Sequence, residues 1–232
     1  MKRFLSGLLA VSFLLSGCAR AEGSPAGTQA SPPQDEAAGE TMCDLVLAQG
    51  DAVLGDGRSV TVRLILREGV FLSGEQVAPG GGLGEENYQG VCEVQVLADG
   101  EALSSLVLEG DGREELLFSD TSLPFALRFA DYNGDGNPDF TIGQWAGSTA
   151  DCYTLFTIAP DGTVTPQSAP YAIFASDGKE DQNEYCAVFE REGNGFIARF
   201  YNNATGEYER IPYRWDAAKN TYLEDQGGKT DD

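Results

Sequence analysis

The chain has 232 residues, with 37 acidic and 15 basic side chains, a formal net charge of −22 and no histidine. A surface of that sign makes nucleic acid and anionic headgroups poor partners. The lack of histidine removes Ser-His-Asp and Cys-His catalysis and His-ligated zinc, and leaves carboxylate-based hydrolysis formally open.

The N-terminus reads MKRFLSGLLAVSFLLSGCAR, with Lys2 and Arg3 ahead of an apolar run from Leu8 to Leu15. That run is too short to span a bilayer as a mature helix, so residues 1–17 read as a targeting signal. Leu15-Ser16-Gly17-Cys18 resembles the lipobox of bacterial lipoproteins, and the resemblance implies cleavage before Cys18 and acylation of its thiol. Two or more acyl chains anchor a protein stably. The expected location is therefore extracytoplasmic, with the chain held on the cell membrane or an outer membrane through Cys18 and not spanning it. Residues 18–42 form a linker: AEGSPAGTQASPPQDEAAGE has no periodic apolar face to bury. A flexible tether of that length reaches about 25–30 Å. The polar tail, residues 226–232, is read as lying outside the folded domain.

Beyond Cys18 the cysteines are Cys43, Cys92, Cys152 and Cys186. An even number in an exported chain predicts two disulfides. Three pairings are open, of which Cys43–Cys92 and Cys152–Cys186 each close a loop within one half of the domain. No two cysteines stand at CxxC spacing, which argues against a thioredoxin-like redox site or a zinc ribbon.

Residues 43–225 are expected to fold as one all-β domain, an antiparallel meander or a propeller-derived relative of one. Val60, Val62, Leu64 and Leu66 alternate with other residues in SVTVRLIL, as Val94 and Val96 do in CEVQVLADG. SLVLEGDGREELLF reads as two short strands joined at Gly110-Asp111-Gly112. Turn signals recur at Gly55-Asp56-Gly57, Asp99-Gly100, Asp161-Gly162, Gly193-Asn194-Gly195 and Asn203-Ala204-Thr205-Gly206. Lys179 to Tyr185 is the one stretch suited to a helical turn. The glycine-rich VAPGGGLGEENYQG lacks the Lys-Ser/Thr pair of a phosphate loop and reads as a surface loop. Asn203-Ala204-Thr205 fits a hairpin tip between FIARFY and EYERIPY, and RWDAAKNTYLE reads as a last hairpin with Trp215 facing Tyr222. The many C-terminal aromatics read as alternating core positions ahead of a sugar-binding platform.

DYNGDGNPDF, Asp131 to Phe140, sets Asp131, Asn133 and Asp135 at alternate positions, turns at Gly136, and adds Asn137 and Asp139. Hard oxygens at alternate positions of a turning backbone suit calcium, which takes six to eight oxygens at about 2.3–2.6 Å. Ile142 stands where an EF-hand needs its bidentate glutamate, and the flanking FALRFA and DFTIG read as strands, not helices. LRFADYNGDGNPDFTIG resembles the calcium loop of FG-GAP and VCBS repeats, the integrin-α-type propeller blades. The resemblance implies side-chain ligation by Asp131, Asn133, Asp135 and Asp139 and main-chain ligation by Asn137 in a loop at 131–139. Neither GDGREELLF nor ASDGKEDQNE repeats its spacing, so a full propeller is not expected.

The function expected from these features is that of a surface-anchored binding module with a structural calcium ion, not an enzyme. Its partner would be an extracellular or cell-wall protein or glycan. Inhibition of a lysozyme-like cell-wall hydrolase by an acidic face is the alternative. A carboxylate hydrolase built on Asp111, Glu114 and Glu115 ranks last, because adjacent acids on a strand point to opposite faces.

Overall fold

The computed structural model describes residues 39–77, 84, 86–108, 115–119, 123–167, 173–180 and 184–225. The signal segment, Cys18, nearly all of the linker, the Gly110-Asp111-Gly112 junction and the tail lie outside the described residues. The protein is nearly all β, with antiparallel sheets and no closed barrel, as the alternating sequence predicts.

The first sheet is built on four long strands, β1 (Glu40–Val53), β2 (Ser59–Ser73), β3 (Glu86–Ala98) and β4 (Glu101–Leu108), side by side in the order β4-β3-β2-β1. β1 starts inside the stretch read as linker. β3 takes in Glu86–Gly90, the end of the segment read as a surface loop. Val60, Val62, Leu64 and Leu66 all turn inward and are buried. Asp99 and Gly100 both adopt positive φ, 51° and 84°, the mirror-image turn whose twist matches a two-residue hairpin. β5 (Leu116–Ser119) pairs with β3 at Asn87–Gly90, while β4 pairs with β3 at Cys92–Ala98. The two strands flanking Gly110-Asp111-Gly112 thus both line β3 and do not pair with each other. Of FALRFA only β6 (Phe125–Ala126) is strand, parallel to β1.

The second sheet holds β7 (Asp139–Trp145), β8 (Asp151–Ile158), β9 (Val164–Pro166) and β10 (Ile173–Ala175). The third is the meander β11 (Glu190–Glu192), β12 (Gly195–Asn202), β13 (Glu207–Asp216) and β14 (Thr221–Glu224). Its hairpins fall at Gly193–Asn194, at Asn203–Gly206 and after Asp216, where Trp215 pairs with Tyr222 and their rings lie 4.9 Å apart. Among the described residues there are two four-residue helices. α1 (Gly74–Val77) gave no sequence signal, and α2 (Asp177–Glu180) overlaps the start of the expected helical turn.

Two cores result. One is mainly aliphatic, with Leu47, Leu64, Leu66, Val94 and Val96 meeting Phe140, Phe156 and Ile158. The other is aromatic, formed by Tyr132, Tyr153, Phe189, Phe196, Tyr213 and Tyr222. Successive residues of a strand point to opposite faces. Accordingly β8 gives Phe156 and Ile158 to the first core and Tyr153 and Leu155 to the second. The second sheet is therefore a middle layer buried on both sides. Among the C-terminal aromatics, Tyr185, Phe189, Phe196, Tyr213 and Tyr222 are core residues, whereas Phe174 and Tyr208 are exposed.

Candidate metal site

The acidic loop leads directly into β7 and so sits at one end of the middle layer. Its neck is closed by Ala130 and Asp139, which exchange both backbone hydrogen bonds, at 2.9 and 2.6 Å. Just outside the neck, Phe129 and Phe140 pack edge to face at 5.8 Å in the aliphatic core. Within the loop, Tyr132 points the other way. It is fully buried in the aromatic core, its hydroxyl accepts the Phe189 amide at 3.0 Å, and its ring lies 5.2 Å from Phe196. The loop is thus pinned to both cores.

The remaining side chains organise the backbone around themselves. The Asp131 carboxylate accepts the amides of Gly134 at 2.8 Å, Asp135 at 3.1 Å and Gly136 at 3.1 Å. Asn133 Oδ1 accepts the Asp135 amide at 3.0 Å, its Nδ2 donates to Asp135 Oδ2 at 3.0 Å, and Asp135 Oδ1 accepts the Asn137 amide at 2.8 Å. Gly134 and Gly136 hold φ of 76° and 83°, a conformation costly for a residue with a Cβ. Glycine at 136 is therefore a steric need of the turn.

Asp139 is 1% exposed. Its Oδ2 accepts the Tyr132 amide at 2.8 Å, but its Oδ1 has no hydrogen-bond partner. Burial pushes its carboxyl up to about 6; the Tyr132 amide and Thr157 offset part of the rise, and the Asp135 and Asp131 charges add to it. Thr157 stands directly opposite on β8, near enough for its hydroxyl to offset part of that rise but without a hydrogen bond of normal geometry to Asp139 Oδ1. Asn137 Oδ1 also lacks a partner. It lies under the β1–β2 turn, where a Cβ on Gly55 would come within 2.7 Å of it.

Asp131, Asn133, Asp135, Asn137 and Asp139 therefore share one loop. Among the described residues, however, no three His, Cys, Asp or Glu side chains form a cluster able to hold a metal on their own. The loop carboxylates are turned toward backbone amides, and two of the five candidates are asparagines. The donor set still suits a hard cation: every side-chain donor is an oxygen, and two buried ones, on Asp139 and Asn137, lack any partner. Burying an acceptor without a partner costs about 1–3 kcal/mol, and more for a charge. Thr157, Tyr132 and Gly55 carry no motif signal; only the β7–β8 register and the approach of the β1–β2 turn bring them to the loop.

No disulfide is formed among the described residues, and Cys43, Cys92 and Cys186 are thiols. Cys43 on β1 pairs with Glu68, and Cys92 on β3 pairs with Leu66. With β2 between them and strands about 4.8 Å apart, their Cα atoms stand about 10 Å apart, beyond the reach of a disulfide. Cys152 on β8 pairs with Gln144 of β7, and the neighbouring Gly143 donates to the carbonyl of Tyr185, next to Cys186. That places β7 between the second pair. Burial pushes the Cys92 thiol up to about 12 and raises Cys186 as well, so neither is poised as a nucleophile.

Of the carboxylates weighed for hydrolysis, Asp111 and Glu114 lie outside the described residues, and Glu115 accepts a hydrogen bond from Gln89. Among the described residues no helix is long and apolar enough to cross a membrane. Comparison of the chain with protein-family models, curated proteins and solved structures finds no match.

Proposed function

We propose that the protein is an extracytoplasmic binding module, anchored through a lipidated Cys18, whose Asp131–Asp139 loop takes a structural calcium ion. The observation that carries the metal reading is the Asp139 carboxylate, buried with one oxygen lacking any partner beside two more carboxylates. Asp131, Asn133, Asp135 and Asp139 would supply side-chain oxygens and Asn137 its main-chain carbonyl, the pattern that FG-GAP and VCBS loops suggest. A loop that offers many oxygen donors favours calcium over magnesium, which prefers a tight octahedron and keeps its waters. The ion would neutralise Asp139 at the junction of the two cores, a role in folding and not in chemistry. The partner we infer is a cell-wall or extracellular protein or glycan.

Calorimetric titration with calcium and with magnesium tests the metal reading. Calcium heat that Asp135→Ala abolishes is the expected result, and no heat with the wild type would overturn it. Cys18→Ser should release the protein from the membrane fraction, and unchanged fractionation and mature mass would remove the anchor. Recovery of a partner from cell-wall extract in calcium but not in chelator would connect the two.

A further inference from the structure

β4 is hydrogen-bonded to β3 alone and forms one edge of the first sheet. Among the described residues no backbone bond reaches its other side, so a row of N–H and C=O groups faces outward with no strand to answer it. An open edge is ordinarily blunted by charge, proline, a bulge or a covering segment. Other edges of this fold are treated in that way. β1 carries Glu40, Asp44 and Asp51 with a bulge between Val46 and Ala48, β9 ends at Pro166, and β11 is charged at every position, Glu190-Arg191-Glu192. β7 is covered, since Gly143 donates to the Tyr185 carbonyl and Asp139 exchanges bonds with Ala130. β4 differs. It bulges at Leu103, but from Ala102 to Leu108 it reads ALSSLVL, without a charge or a proline, in a chain whose net charge is −22. On its inner side Ser104 Oγ donates to the Gly162 carbonyl at 2.6 Å, and Leu106 and Leu108 stand opposite the buried Val94 and Cys92, so the strand is already held extended. On the face turned from the core, Val107 is 53% exposed.

We propose that β4 is a self-association edge, along which a second copy of this chain pairs its own β4 antiparallel about a two-fold axis and joins the two first sheets into one. Outward-facing backbone groups call for an extended strand, and a two-fold axis lets the same strand answer itself. A second β4 is already ordered against its own β3, whereas a loose peptide would lose its conformational freedom on binding. Charge selects the same strip: copies of so acidic a chain repel over most of their surface and approach closely only where no charge stands. The proposal is independent of the calcium and anchor readings above.

Sedimentation velocity over a concentration range tests it on the full chain bearing Cys18→Ser, in a mild neutral detergent that holds the apolar N-terminal run. This parent chain should show a monomer–dimer equilibrium, the same in chelator as in calcium. Ser105→Lys with Val107→Lys sets lysines along the outer face of the seam, where edge lysines oppose pairing, and should abolish the dimer. Should that double variant melt below the parent, Val107→Lys alone, at an exposed position, carries the same test. Val53→Lys with Tyr208→Lys adds the same charge at side chains 59% and 46% exposed on other strands, and should leave the dimer in place. A parent chain that stays monomeric, a dimer that survives the β4 lysines, or equal loss with the lysines placed elsewhere would overturn the assignment.

Discussion

The first sheet and the surroundings of the acidic loop treat buried polar groups differently. In the first sheet each such group is answered from within the chain. Asn87, fully buried, donates to the carbonyls of Leu72 and Gly84 and accepts from Ser119, and the nearly buried Glu93 pairs with Arg67 at 2.7 Å. Around the acidic loop, by contrast, Asn137, Asp139 and Thr157 each carry a buried oxygen without a partner. The first arrangement needs nothing beyond the polypeptide. The second is where the proposed calcium ion would supply the charge that the polypeptide does not.

The largest expected effects come from breaking each core in turn. Phe196→Ala removes a ring that touches Phe189, Tyr213, Tyr132 and Tyr222, and should cost about 3–5 kcal/mol. It should also blunt the calcium response, because Tyr132, which pins the loop to this core, loses its support. Leu64→Ala in the aliphatic core should cost about 2–5 kcal/mol yet leave the calcium-induced rise in melting temperature intact. Denaturant melts in chelator and in calcium check both, and equal loss of the calcium response in the two variants would erase the distinction.

Acid should sharpen the contrast. The Asp139 carboxyl sits at about 6 in the fold against 3.8 ordinarily, so between those values the folded state holds a proton that the unfolded chain has released. In chelator its contribution is therefore neutral below about pH 4 and grows more destabilising as pH rises, to about 3 kcal/mol above pH 6. The slope of stability with pH should be more negative for wild type than for Asp139→Asn, and parallel curves would refute this.

Calcium itself should act more gently. At ten times the dissociation constant it should add about 1.4 kcal/mol, a rise of a few degrees in melting temperature, and Asp135→Ala should abolish the rise. Smallest of all is the loss of the Arg210–Glu190 pair on the third sheet, in which both side chains are exposed. Arg210→Ala should leave both melting temperature and calcium response unchanged, since exposed ion pairs contribute little.

The sequence by itself determined the strand-forming alternation, the hairpin turns and the oxygen-rich loop, because those depend on neighbours one to four residues apart. Val60 to Leu66 turn inward for the period-2 reason, Asp99-Gly100 turns because both residues accept positive φ, and Trp215 meets Tyr222 because a short hairpin fixes its own register. The tertiary structure alone decided what distant segments do to one another. It laid β4 and β5 along β3 rather than against each other, and it set β2 between Cys43 and Cys92, so that this pair is out of disulfide reach. It also buried Asp139 opposite Thr157. Burial and register are properties of strand order, and strand order is settled by which faces can be covered together, a sum over the whole domain that no local spacing contains.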